Sequence, residues 1–335
     1  MTLQQRIKAF SQLGAHLEQL SDEAFESIAE SAILENPWFT KANVRTALKG
    51  IQVFLDSNSL NQWVSAYRLE SKTPKTIALV MAGNIPLVGF HDFLCILISG
   101  NRAQIKLSSK DSKLIKYLIK HLLWFEPGFE EFITIQERLD KFDAIIATGS
   151  DNSARYFESY FGKYPNIIRK NRTSCAILTG EETESEIENL GTDIFSYFGL
   201  GCRNVSKIYV PTNYDLTKLL SRWNSFSEVI HHHKYCNNYD YQKSILLVNK
   251  MPFLDNGFIL FQESDKLVSP ISVLYYEYYA SAEVLKNKFT DNVDKIQCIV
   301  GNTLAATVPF GQTQSPLLGD YADQVDTLKF LSELN

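Results

Sequence analysis

Cys202 lies in Phe198-Gly199-Leu200-Gly201-Cys202-Arg203-Asn204, just ahead of a β-type run at residues 206–210. Gly199 and Gly201 strip bulk from both approaches to the sulfur, so a substrate carbonyl could reach the thiol and the nearby N–H groups. Arg203 and Lys207 are cations that would favour the thiolate, the reactive form. Local sequence alone leaves a second reading level with this one, a buried structural cysteine in a glycine-rich turn. Two further turns could carry a phosphate on backbone N–H groups at a helix start, Gly83-Asn84-Ile85-Pro86 and Gly149-Ser150. A G-x-G-x-x-G run is absent, and two ordinary strand-to-helix turns would look the same. His231-His232-His233 cannot all face one metal on a helix or strand. A polar loop or a substrate-channel wall is expected there, and no metal site.

Bulk properties narrow the classes. The chain has 335 residues, 45% hydrophobic and 21% charged, which suits one large or two ordinary domains. Net charge is −5 with no basic block, which argues against nucleic acid as a partner. No apolar run reaches the ~20 residues that a membrane-spanning helix needs. The first residues are polar and lack a signal-peptide core, so a cytoplasmic location is expected. Five cysteines without a C-x-x-C pair speak for reduced thiols.

The elements that would position these residues follow from periodicity. Residues 1–70 read as helical, with Leu3, Ile7, Phe10 and Leu13 at helix spacing and Ser21 and Thr40 as N-caps. From Thr76 the period changes. Strands are expected at 76–82, the most continuously apolar of them, at 103–107 and at 142–148, with helices ending near Ile98 and spanning Asp111–Phe125 between them. Strand, helix, strand, helix, strand is the pattern of a parallel sheet wound with helices, and strands apolar throughout fit a sheet covered on both faces. Beyond Ser150, helices are expected at 153–161, about 184–198 and near 214–227. Strands are expected at 174–178, 206–210, 244–248, 271–276 and 296–300. The expected division is 1–198 for N-terminal helices and a cofactor domain, 199–300 for a catalytic domain, and 301–335 for a segment returning to the first.

Five short motifs, in order, carry a resemblance. Gly83-Asn84-Ile85-Pro86-Leu87 is similar to the Asn-Phe-Pro-Leu turn of the aldehyde dehydrogenase superfamily. Gln104-Ile105-Lys106-Leu107-Ser108-Ser109 resembles its strand with a cofactor-binding lysine, and Thr148-Gly149-Ser150 its cofactor turn. Gly201-Cys202 falls where its nucleophile falls, and Pro309-Phe310-Gly311 resembles its Pro-Phe-Gly. Within the superfamily, Gly83–Pro86 and Ser269–Val273 are similar to the LuxC-type acyl-CoA reductases, the fatty acyl reductases.

The resemblance implies an aldehyde-dehydrogenase-like α/β fold, a Rossmann-type parallel sheet plus a second α/β catalytic domain. It implies an acyl-CoA reductase that forms an aldehyde through a Cys202 thioester, with the Asn84 amide and the Cys202 N–H as oxyanion donors. Lys106, Ser108, Ser109, Gly149 and Ser150 would hold the cofactor. Ser109 stands where NAD-preferring relatives often carry a glutamate, so NADPH is expected ahead of NADH. The stretch Ile167–Ser174, where oxidising relatives place a glutamate base, has no acid. A thiol leaving group needs no such base, whereas hydrolysis of a thioester does. Lys266 falls at the position of a glutamate that holds the nicotinamide ribose in many relatives, with Glu263 as the nearby alternative. The implied partner is an acyl-CoA or acyl carrier protein thioester, and the implied assembly a homodimer. An aldehyde dehydrogenase acting on a free aldehyde and a silent nucleotide-binding scaffold are the alternatives.

Overall fold

A computed structural model describes residues 1–69 and 73–334. The chain divides into two compact units, residues 1–171 with the segment from Pro316 onward, and Arg172–Ser315.

The first unit opens with four helices, α1 (Leu3–Glu18), α2 (Asp22–Glu35), α3 (Lys41–Phe54) and α4 (Ser57–Val64). The expected caps form, since Ser21 Oγ accepts from Ala24 N–H and Thr40 Oγ1 from Asn43 N–H. The helical reading ended at residue 70, which lies outside the described residues. Next come β1 (Thr76–Val80), α5 (Phe90–Ile98), β2 (Arg102–Lys106), α6 (Lys113–Phe125), β3 (Ile133–Ile135), β4 (Ala144–Thr148), α7 (Asp151–Phe161) and β5 (Asn166–Arg169). All five strands are parallel in the order β3-β2-β1-β4-β5. Ile77 and Leu79 face the large helical core, while Ala78 and Val80 pack on the other side with Phe157 and Phe161 of α7. That two-sided burial is why β1 is apolar from Ile77 to Val80. After β3 the chain crosses to the far side of β1, so the strand order reverses between β1 and β4. Such a reversal opens a crevice at the carboxyl ends of the strands.

The second unit contains β6 (Thr173–Ile177), α8 (Glu184–Phe195), β7 (Val205–Pro211), α9 (Thr217–Arg222) and α10 (His233–Val248). It continues with β8 (Leu254–Asp255), β9 (Leu260–Glu263), β10 (Val273–Tyr279), α11 (Ala282–Asp291) and β11 (Ile296–Val300). The sheet runs β11-β6-β7-β10-β9-β8 and is parallel except for the β8–β9 pair. Alternation sets its two faces. Ala176 and Leu178 pack with α8 and α9 residues, Cys175 and Ile177 with Leu285 and Phe289 of α11.

Two expectations give way. Residues 244–248 are the last turn and more of α10, not a strand. Tyr235, Tyr239 and Leu246 are its buried residues while Leu247 and Val248 are exposed, and an apolar run of five cannot by itself separate strand from helix. The compact units also divide at Asn171 and Ser315, earlier and later than the expected 198 and 300. The reason is pairing: β6 hydrogen-bonds between β11 and β7, so the chain from Arg172 to Ser315 builds on the second sheet.

Candidate active site

In the first unit, three turns leave the same edge of the sheet. Register pairs Val80 with both Lys106 and Ala147, so the carboxyl ends of β1, β2 and β4 are level. Gly83–Asn84, Lys106–Ser109 and Gly149–Ser150 therefore share one rim beside the β1/β4 reversal. Asn84, Lys106, Ser109 and Ser150 are exposed, and Ser108 and Gly149 half-buried. Two glycines on this rim are tight. A Cβ on Gly83 would lie 2.5 Å from Ser108 Oγ, and one on Gly149 2.7 Å from Ser153 Cβ. Only glycine lets the turns close onto these neighbours without collision. Ser150 Oγ accepts from Ser153 N–H at 3.3 Å as the N-cap of α7. Its hydroxyl is thus engaged in opening the helix whose first N–H groups face the rim.

The Gly83 turn is anchored at both ends. Asn36 Nδ2 donates to Gly83 O at 3.0 Å. Leu87 N–H donates to Asp111 Oδ2 at 2.6 Å, with Leu87 itself at φ 59°. Asp111 was expected in α6, but the helix begins at Lys113 and is capped by Glu35, which accepts from Ser112 N–H at 2.7 Å. Burial pushes the Asp111 carboxyl up to about 7, against the Leu87 N–H, which lowers it.

In the second unit, Cys202 is half-buried on the turn between α8 and β7. Three consecutive left-handed residues lead toward it, Tyr197 (φ 50°), Phe198 (φ 58°) and Gly199 (φ 76°). Such backbone at non-glycine residues costs about 1–3 kcal/mol each and persists only when the surroundings enforce it. Asn204, 2% exposed, supplies much of the enforcement. Its Nδ2 donates to Asp193 O at 3.1 Å and Ser196 O at 2.8 Å, while its Oδ1 accepts from Gly201 N–H at 2.9 Å. Ser174 Oγ donates to Cys202 O at 3.0 Å, and the His232 ring packs 4.3 Å from that of Phe198.

The Pro309-Phe310-Gly311 segment meets the same turn through Asp193. This fully buried carboxylate accepts from Gly311 N–H at 2.6 Å and Thr313 N–H at 3.0 Å. Arg203 Nε in turn donates to Thr313 O. Arg203 therefore serves to hold the loop. Lys207 is buried in β7 and paired with Glu277 at 2.5 Å, so its charge is spent inside the sheet. Lys266 is exposed. Within His231–His233, His231 ends a 3₁₀ turn and His233 begins α10. Among the described residues, no three His, Cys, Asp or Glu side chains are grouped to hold a metal.

Asn204, Asp193 and Asp111 escaped the sequence reading. Asp193 alone left a trace, an acid amid Leu190, Gly191 and Ile194 on the buried side of α8.

The architecture has known counterparts. The chain is similar to aldehyde dehydrogenase 21 from Physcomitrella patens in complex with succinate, at 13% identity and TM-score 0.65, covering 99% of this chain and 84% of that one. It is similar to an aldehyde dehydrogenase from Bacillus cereus in its NAD+ complex, at 12% identity and TM-score 0.63, covering 91% and 72%. It is also similar to the NADP-dependent glyceraldehyde-3-phosphate dehydrogenase from Bacillus halodurans C-125 complexed with NADP, at 14% identity and TM-score 0.63, covering 91% and 75%. These likenesses define the class by fold, the aldehyde-dehydrogenase-like α/β architecture that the motifs implied. No curated protein sequence matches the chain. Residues 14–219, more than half of the chain, match the model of the acyl-CoA reductase (LuxC) family, and the chain belongs to that family.

Proposed function

We propose that the protein reduces an acyl thioester of CoA, or of an acyl carrier protein, to the aldehyde with NADPH, through a thioester on Cys202. What carries the reading is the conjunction of family membership with a half-buried cysteine on a turn braced by Asn204 and Ser174. The Cys202 thiolate attacks the acyl carbonyl carbon and the bond to the CoA sulfur breaks, releasing CoA thiolate. The Asn84 amide and the Cys202 N–H receive the negative charge that develops on the oxygen. NADPH, when bound, supplies the hydride that reduces the enzyme thioester. Breaking of the carbon bond to Cys202 Sγ then frees the aldehyde and returns the thiolate.

The rim residues fit a dinucleotide. Gly83 and Gly149 sit where a side chain would collide, α7 turns its N-terminus to the rim, and Lys106 and Ser108 offer a cation and a hydroxyl to a ribose phosphate. Ser109 places no carboxylate there to repel it, which favours NADPH over NADH. The stretch from Ile167 to Ser174 offers no base for hydrolysis. A thiol leaving group needs no such base, which suits reduction of an acyl thioester.

The reading places the protein in the cytoplasm, and no described helix is long and apolar enough to cross a membrane. A homodimer completes the proposal, with its mass in solution as the check.

The test is aldehyde production from a graded set of saturated acyl-CoAs with NADPH and with NADH. Cys202→Ala should abolish turnover, and Asn84→Ala should lower kcat roughly 100-fold or more. A protein that reduces no acyl-CoA but oxidises free aldehyde without CoA would be an aldehyde dehydrogenase instead.

A further inference from the structure

Asp111 is a buried carboxylate that the proposed chemistry leaves unused. It is 5% exposed, one oxygen accepts from Leu87 N–H at 2.6 Å, and the other meets no hydrogen-bond partner among the described residues. A half-paired carboxylate is an expensive group to bury, so its place needs a return.

The return is visible at Leu87. This residue closes the Gly83–Leu87 turn at φ 59°, a conformation that a leucine keeps only when its surroundings hold it there. Asn36 grips the opposite end through Gly83 O at 3.0 Å. Asn84 lies between the two grips. Gly83 is wedged against Ser108 and Asp111 as well, since a Cβ there would lie 2.5 Å from Ser108 Oγ and 3.2 Å from Asp111 Cβ. The β2-to-α6 link therefore sets the turn with which the proposed oxyanion donor begins. Pulling Asp111 out of α6 is what makes this possible, because Glu35 caps the helix in its stead.

We propose that Asp111 is a positioning residue for the reduction: through Leu87 N–H it holds the turn that aims the Asn84 amide at the reacting oxygen. This rests on the reading of Asn84 given above. Asn84→Ala alone tests that reading, and the coupling of the two positions tests this one.

The experiment measures kcat, KM for NADPH and the pre-steady-state rate of Cys202 acylation by octanoyl-CoA. Variants are Asp111→Ala, Asp111→Asn, Asn84→Ala and the double Asp111→Ala/Asn84→Ala. Asp111→Ala should slow acylation and kcat about 30-fold, with KM for NADPH within about twofold, because a displaced donor loses transition-state contact and not nucleotide contact. Asp111→Asn keeps an acceptor oxygen for Leu87 N–H and should stay within about threefold of the parent. Adding Asp111→Ala to Asn84→Ala should cost less than about threefold more, since the donor it positions is gone. If Asp111→Ala does not fold, Asp111→Ser, whose hydroxyl falls short of Leu87, takes its place in the same cycle. An unchanged kcat in the single variant, or a full additional loss in the double variant, overturns the proposal. An unchanged kcat in Asn84→Ala overturns the oxyanion reading first, and the proposal with it.

Discussion

Asn204 shows how much a single side chain can hold without announcing itself. In the sequence it is one polar residue between an arginine and a strand. In the fold its amide ties the end of α8 to Gly201 and so sets the turn carrying Cys202. Cys202 could be singled out because glycines and cations flank it. Asn204 could not, because its partners are backbone carbonyls eight to eleven positions earlier, and asparagine before a strand is common. Asp111 was equally hidden, and it carries a pH dependence of its own. Its folded value, pushed by burial to about 7, stands above its ordinary 3.8. The stabilising contribution of its protonated form is then present in full below pH 3.8 and is lost as pH rises through about 7. The expected loss is on the order of 4 kcal/mol. Denaturant midpoints of the parent and of Asp111→Asn, taken from acid to mildly alkaline pH, should diverge in favour of Asn as pH rises. A constant difference would mean that Asp111 ionises normally in the folded protein.

Among the elements, those with two apolar faces were the legible ones. β1 and β4 read as strands because burial on both sides leaves Ile77–Val80 and Ala144–Ala147 apolar, while β2, with Arg102, Gln104 and Lys106 among its residues, is legible as a short run between helices. β3, β5, β8 and β9 passed unread, since runs of two to four residues carry too little pattern. The Ser244–Val248 run was read as a strand because its helical register is set by Tyr235 and Tyr239, well upstream. At the rim, the β4-to-α7 turn makes a direct test of the nucleotide site. Gly149→Ala drives a Cβ to 2.7 Å from Ser153 Cβ and 2.9 Å from Phe157 Cε2, and α7 must shift to admit it. Overpacking of this kind costs about 1–3 kcal/mol. NADPH affinity, followed by fluorescence titration, should fall about tenfold while Cys202 acylation is unchanged. Equal affinity in the variant would remove this turn from the nucleotide site.

At the scale of the whole molecule, the first unit is closed by residues far apart in the chain. Arg169, 4% exposed, donates through Nε and Nη2 to Asp92 at 3.2 and 2.7 Å. The same guanidinium donates to Ala322 O at 2.7 Å and Thr327 Oγ1 at 2.8 Å, which secures the returning segment and its helix Thr327–Glu333. Nearby, Tyr321 accepts from Trp63 Nε1 at 2.8 Å. Burial alone would raise the Asp92 carboxyl, but the Arg169 charge outweighs it and holds Asp92 below the usual range. Removing one partner strands a buried charge. Arg169→Met should therefore cost about 3–5 kcal/mol in denaturant unfolding, and adding Asp92→Leu should recover most of it. Limited proteolysis should cleave the returning segment in the single variant first. Equal stability of parent and single variant would show that the tail is held by its apolar contacts alone.

What the sequence determined by itself was local and periodic. It marked a cysteine freed by glycines, strands apolar on both sides, capped helices, and five motifs whose order carries a family likeness. What only the tertiary structure decided was which distant groups meet: Asn204 with the end of α8, Asp111 with Leu87, Asp193 with Gly311, and β6 with the second sheet. The physical reason is that periodicity records which face of an element is buried, whereas a buried hydrogen bond between remote residues has no period and exists only once the chain has folded.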